Sequence, residues 1–294
     1  VLFRSWLTFL GTVVVLVAAA TQLARYGDAI GVRTRLGGLL IGSLLLAGAT
    51  SLPEILTAIN SVSAGAASLS AGDLLGSSMV NMLLLAVVDL VFWRQRILRQ
   101  VALRHGLTAS VSILLNCLVI VFIMAKIDLS IGWIGLDSIV IVAAYVGGTW
   151  LLRLNSGVTD AAFEEPPDLT GVPSLRHAII GFAVAAAVLA ISNPLLVQSA
   201  TAIADATGVG TGFIGAALVA FATSLPELVT TIAAIRIGAH DMAVGNLFGS
   251  NAFNMTAFGL ADFLYPGGHF LMEVDAQFAL IGAIALFMMS VGLV

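Results

Sequence analysis

The sequence predicts an all-α polytopic membrane protein built from two inverted-topology repeats. Three observations predict it: the composition, the length of the apolar runs, and a duplication at a fixed offset. Of 294 residues, 60% are hydrophobic and 10% are charged, and the mean hydropathy is +1.08. A soluble domain carries about a quarter charged residues, so twelve basic and sixteen acidic side chains cannot cover a water-soluble body of this size. A chain solvated by lipid must satisfy its backbone internally, which selects helices. The net charge of -4 leaves no basic stripe interleaved with aromatics, which excludes nucleic-acid partners.

A hydrocarbon core of about 30 Å is crossed by about 20 apolar residues. Nine runs qualify: 6–24, 36–63, 72–93, 106–125, 131–152, 175–198, 209–236, 241–265 and 270–293. The first run continues without a small-residue cleavage site ahead of a soluble region, so it is read as a membrane helix and not a signal peptide. The second and seventh runs, each with 28 residues, exceed a straight crossing and carry Pro53 and Pro226 near their middles. The fourth contains Cys117, which has no second cysteine to pair with and reads as a small buried hydrophobe. Asp137, early in the fifth run, is read as lying near the outer interface. The extended polar stretch after it holds Asp160, Glu164, Glu165, Pro166, Pro167, Asp168 and Pro173, the composition of a connector. The chain thus divides into a first repeat at 1–153, an acidic connector at 154–174 and a second repeat at 175–294.

Placing the basic residues on alternate sides of nine spans puts ten on one side and two, Arg4 and Lys126, on the other. The positive-inside rule makes the ten-residue side cytoplasmic. The N-terminus is then outside, the connector is cytoplasmic, and the protein is integral to a membrane, expected to be a prokaryotic plasma (inner) membrane.

The duplication is explicit. Ala-Thr-Ser-Leu-Pro-Glu occurs at 49–54 and again at 222–227, an offset of 173 residues. At the same offset, Gly72-Asp73-Leu74-Leu75-Gly76-Ser77-Ser78-Met79-Val80-Asn81-Met82 aligns without a gap on Gly245-Asn246-Leu247-Phe248-Gly249-Ser250-Asn251-Ala252-Phe253-Asn254-Met255, with six of eleven positions identical. An odd number of crossings separates the copies, so the second is inverted. Inverted repeats with interrupted helices are the architecture of many secondary transporters, whose substrate site lies between the halves. The offset predicts a tenth span near 304–325, beyond Val294; together with the absence of an initiating Met, this is what a truncated or fragmentary sequence is expected to show.

Proline supplies no N–H and clashes with the carbonyl four residues back, so carbonyls around Ala49 to Ser51 and Ala222 to Ser224 are expected to lose their partners. Glu54 and Glu227 follow the prolines in otherwise uncharged runs, where an ionisable group costs several kcal/mol unless it meets a partner or water. Arg33, Arg35 and Arg236 fall at span ends and offer no counter-ion at that depth. Two carboxylates among Thr, Ser and Asn oxygens form a hard cage that suits Ca2+, with Ser77, Asn81, Ser250 and Asn254 adding ligands. One Pro-Glu pair alone could be a kink with a snorkelling acid; its inverted recurrence favours function. Gly72, Gly76, Gly245 and Gly249 read as close-packing positions. Ser77 and Ser250 could bond back to their own helices, but their register with Asn81 and Asn254 favours the cage. Asp89 and Asp262 lie toward span ends and read as structural, and the four histidines lack metal-ligand spacing. No hydrolase constellation is visible, so an enzyme is not expected and no cofactor is called for.

The duplicated blocks Thr-Ser-Leu-Pro-Glu and Gly-Ser-x-x-x-Asn resemble the alpha repeats of the cation/calcium antiporter superfamily, particularly its prokaryotic sodium/calcium exchanger branch. The resemblance covers both repeats. It implies a ten-helix fold in which helices 2, 3, 7 and 8 surround the ions while helices 1 and 6 slide. It also implies that Glu54 and Glu227 are the main Ca2+ carboxylates, shared with Na+. Thr50 and Thr223 would offer backbone carbonyls, and Ser51, Ser224, Ser77, Ser250, Asn81 and Asn254 would complete the sodium and calcium sites. Some relatives place Asp where Asn254 stands, so this cage is expected to hold two carboxylates and no third. The function implied is exchange of Na+ for Ca2+ by alternating access. Ca2+/H+ or other cation/proton exchange on the same fold is the alternative, and a non-transporting cation-binding membrane protein is the alternative of another class.

Overall fold

A computed structural model of the chain describes residues 2–63, 67–93, 97–132, 134–160, 169–206, 224–265 and 269–292. Helix α1 (Leu2–Thr34) opens the chain and lies along α7 (Leu175–Ala206), burying Leu16, Ala20 and Leu23 against Leu189 and Leu196. Gly181 allows this approach, because a Cβ there would stand 2.5 Å from the Tyr26 ring. The end of α1 is tied down by Arg33, whose guanidinium donates to the carbonyls of Pro173 at 2.9 Å and Val172 at 2.5 Å. This arginine, counted above among the charges of one membrane side, therefore also satisfies backbone at the end of the connector.

Helix α2 (Gly38–Thr50) contains a π-helical stretch at Ile41–Leu46 and is bent by 44° from the start of α3 (Leu52–Ser63). The break matches the one expected at Pro53. The π turn had no signal in the sequence. Helices α4 (Ala67–Val91) and α5 (Ile97–Ala125) follow, and then a small antiparallel hairpin of β1 (Ser130–Ile131) and β2 (Ile134–Gly135). Helix α6 (Leu136–Asp160) begins later than the run at 131–152 and overruns the boundary assigned to the connector. The hairpin takes the first residues of that run because Asp262 accepts the N–H of Gly135 at 2.6 Å and holds it out of the helix. Of the connector, 161–168 lie outside the described residues, and 169–174 form a turn and its approach to α7.

Helix α8 (Leu225–Arg236) stops at Gly238, whose φ of +82° reverses the chain after the last turn. The first half of the run at 209–236 falls outside the described residues. Helix α9 (His240–Ala261) is the centre of the molecule and packs on α2, α4, α5, α6 and α8. It is buried around nearly its whole circumference. This explains how it carries Asn246, Ser250, Asn251 and Asn254, since these side chains face protein and not lipid. Gly42 and Gly249 bring α2 and α9 into backbone contact. A Cβ on Gly42 would stand 2.4 Å from the Met242 carbonyl oxygen, and one on Gly249 would stand 2.4 Å from that of Ser43. The packing role read for the glycines of α9 thus holds, with the π turn as its partner.

The run at 270–293 is not one helix. It divides into α10 (Phe270–Glu273) and α11 (Phe278–Gly292), with Val274 extended between them. Glu273, Asp275 and Gln277 give this stretch no apolar continuity, and the Lys126 ammonium donates to the freed carbonyls of Met272 and Val274. Among the described residues, five helices are long and apolar enough to cross a membrane, and the bent pair of α2 and α3 supplies a sixth. Their outer faces expose Leu10, Val14, Leu114, Val121, Ile180, Val184 and Ile191, the surface that lipid solvates.

Candidate functional site

The site begins at the break. Pro53 offers no N–H to the Ala49 carbonyl, so α2 ends at Thr50 and Ser51 takes φ -83°, ψ 0° before α3 starts. Ser224 has nearly the same dihedrals, φ -86° and ψ 6°, immediately before α8. The expectation of free carbonyls at the two serines is corrected by the structure. Ser51 accepts from the N–H of Ile55 at 3.0 Å, and Ser224 from that of Leu228 at 3.2 Å. Proline removes only the donor of the carbonyl four residues back, which is Ala49, while the serine carbonyls open the next helix.

Each of these helix starts delivers a carboxylate into the interior. Glu54 is the third residue of α3 and Glu227 the third of α8, and they are 2% and 1% exposed. Each carboxylate accepts its own backbone N–H, one of the donors a helix N-terminus leaves over. The two lie close enough to repel one another. Among the described residues neither forms an ion pair with Lys or Arg, so no described basic side chain neutralises them.

Around them the oxygens outnumber the protons. The Thr50 hydroxyl lies 3.3 Å from the Ala47 carbonyl, 3.3 Å from Asn246 Oδ1 and 3.4 Å from Ser250 Oγ, and it also bonds the Glu227 carboxylate. A hydroxyl carries one proton and cannot serve all of them. Glu54 Oε2, Glu227 Oε2, Ser51 Oγ, Ser224 Oγ, Ser77 Oγ, Asn81 Oδ1 and Asn254 Oδ1 are buried with no hydrogen-bond partner among the described residues. Asn81 spends its Nδ2 on Asn251 Oδ1 at 3.1 Å, which frees its own carbonyl oxygen. Thr223 lies outside the described residues. A set of buried, donor-poor oxygens around two carboxylates is what a hard cation requires. Among the described residues no three His, Cys, Asp or Glu side chains meet at one point, so hydroxyl, amide and carbonyl oxygens must complete any coordination sphere.

Four contributors were missed in the sequence. Asn246 links Thr50 to Thr231, whose hydroxyl accepts its Nδ2 at 3.3 Å, and Asn251 meets Asn81. Asp73 lies within electrostatic range of Glu54, with Oδ2 unpartnered, but among the described residues it does not join Glu54 and Glu227 in a three-acid cluster. The signal was present. Asp73, Ser77 and Asn81 recur every four residues on one face of α4, and Asn246, Ser250 and Asn254 do so on α9. Other acids are structural. Asp262 also accepts from the Phe270 N–H at 2.6 Å, and Asp137, which is buried, accepts from Ser138 N–H at 2.7 Å.

The chain resembles known membrane proteins in sequence and in fold. Inner membrane protein YrbG of Escherichia coli (strain K12) is 27% identical over 242 residues, covering 78% of this chain and 70% of that one. Sodium/calcium exchanger MaX1 of Methanosarcina acetivorans is 40% identical over 81 residues, covering 27% of this chain and 23% of its own length. A solved structure of the sodium-calcium exchanger NCX_Mj superposes with a TM-score of 0.69 at 22% identity, over 99% of this chain and 90% of that one, which establishes the shared fold. The family model described as sodium/calcium exchanger protein matches residues 4–153 and 177–294. Since that match takes in both copies of the duplicated blocks, the chain belongs to the sodium/calcium exchanger protein family.

Proposed function

We propose that the chain is a secondary active antiporter exchanging Na+ for Ca2+ by alternating access. One observation carries this reading: two buried carboxylates, Glu54 and Glu227, stand at matching helix starts with unpartnered oxygens and no described basic partner. In this proposal Glu54 and Glu227 bind Ca2+, and Thr50, Thr223, Ser51, Ser224, Ser77, Ser250, Asn81 and Asn254 complete the Ca2+ and Na+ sites. Residues 1–153 and 175–294 are the two inverted repeats, and 154–174 join them on the cytoplasmic side. The nearly equal dihedrals of Ser51 and Ser224, and the Glu two residues into each following helix, support the repeat.

Neutral oxygens favour Na+ as the coupling ion. Hydroxyl and amide ligands suit a hard monovalent cation, whereas proton coupling requires the two carboxyls themselves to take up protons at working pH. The test is Ca2+ uptake into proteoliposomes loaded with Na+ or with choline, at fixed pH and then with an imposed pH gradient. Uptake is expected only with internal Na+. Uptake that follows pH and ignores Na+ would move the assignment to proton exchange. Ca2+ binding without uptake under either gradient would reduce the protein to a cation-binding membrane protein.

A further inference from the structure

Along one face of α4 the polar side chains differ in exposure. Asn81 is 1% exposed and Ser77 is 2% exposed, while Asp73, one turn earlier, is only partly buried. One turn of four residues is about 6 Å of helix rise. The corresponding face of α9 has no such difference, since Asn246, Ser250 and Asn254 are all buried, and Asn246 is tied to Thr50 and Thr231. The two ends of the site therefore differ in charge and in access. At one end stands a partly buried carboxylate with Oδ2 unpartnered; at the other stands a hydrogen-bonded, neutral amide. Asp73 does not join Glu54 and Glu227 in a single three-acid cluster among the described residues, yet its charge reaches Glu54. The Glu54 Oε2 atom, itself unpartnered at 2% exposure, is the acceptor next inward.

We propose that Asp73 forms, with Ser77, an entry subsite for the transported cation at one end only of the Glu54/Glu227 site. A hydrated Ca2+ ion arriving from that end meets Asp73 first, exchanges water for carboxylate and hydroxyl oxygen at Asp73 and Ser77, and passes on to Glu54. At the other end the equivalent position is the neutral Asn246, and the acid at the start of α9, Asp241, lies 3.3 Å from His105 Nε2. The asymmetry makes the exchanger bind Ca2+ more readily from the face toward which the N-terminal end of α4 points, which is the outer face on the orientation proposed above. This inference rests on the exchanger reading.

The experiment measures the Ca2+ concentration dependence of Na+-driven Ca2+ uptake by the full chain, separately at each membrane face, in right-side-out and inside-out vesicles. Asp73→Asn, which places in the first repeat the residue that the second already has, is expected to raise KM about three- to tenfold at the Asp73 face and to leave the opposite face unchanged. Asp73→Glu restores most of the loss. Raising choline chloride in the wild-type protein weakens uptake more at the Asp73 face, because a partly buried charge is screened more than the fully buried carboxylates of the site, and this arm needs no variant to fold. Equal KM values for Asp73→Asn and wild type at both faces would overturn the proposal. So would an equal rise at both faces, failure of Asp73→Glu to restore, or an equal salt response of the wild type at both faces. Wild-type vesicles that move no Ca2+ would sink the exchanger reading and this proposal together, whereas normal wild-type flux with an unaffected Asp73→Asn variant would sink this one alone.

Discussion

Thr50 joins the two halves of the site more directly than any other side chain described. Its hydroxyl, from the end of α2, reaches Glu227 at the start of α8 and Asn246 and Ser250 on α9. A buried acceptor that loses its donor costs about 1–3 kcal/mol. Thr50→Val keeps the shape and removes the hydroxyl, so it is expected to destabilise the protein by about that amount and to weaken Ca2+ binding by freeing Glu227 from its orientation. A thermal melt in detergent with and without Ca2+ checks both effects, and an unchanged melt in both conditions would show that the hydroxyl does neither. At this scale much of the site was legible. Glu54, Glu227 and their Ser and Asn neighbours stand out because polar atoms in apolar runs need a reason. Asp73 was visible in the aligned block and passed over, since a single acid among glycines reads as a helix end unless its four-residue spacing to Ser77 is followed.

Helices α2 and α9 meet where Gly42 and Gly249 leave no room for a side chain. A Cβ at either position would fall 2.4 Å from a backbone carbonyl oxygen, which cannot move aside as a flexible side chain can. Gly42→Ala and Gly249→Val are therefore expected to part the two helices, at a cost of about 1–3 kcal/mol each for overpacking. The measurement is the yield of monodisperse protein by size-exclusion chromatography together with the melting temperature. A substitution tolerated at wild-type yield and melting temperature would contradict the close approach. Element boundaries were less legible than site residues. The break after Thr50 followed from Pro53, but the π turn at Ile41–Leu46 is set by its fit against α9 and leaves no mark in local propensity. The interruption between α10 and α11 depends on Lys126, which lies far away in sequence and captures two carbonyls. Helix α9 read as another membrane run although its surroundings are protein, because hydropathy counts apolar residues without knowing what solvates them.

Across the whole molecule, the membrane class followed from composition alone, while the arrangement of the helices followed from the duplication only in part. The proposed orientation places the connector in the cytoplasm. Thr170→Cys in a background where Cys117 is replaced by Ala should react with a membrane-impermeant thiol reagent in inside-out vesicles and remain protected in right-side-out ones; the reverse pattern would invert the topology. The central claim is that Glu54 and Glu227, brought from two halves of the chain, form one cation site at which Na+ and Ca2+ compete. Removing either carboxylate leaves a divalent ion half-neutralised in a poorly solvated interior. The most direct test is equilibrium 45Ca2+ binding to the purified protein and to its Glu54→Gln and Glu227→Gln variants, with Na+ as competitor. The account predicts saturable binding to the wild type that Na+ displaces and that either substitution abolishes. Ca2+ binding retained by either variant at wild-type affinity, or indifferent to Na+ in the wild type, would contradict it.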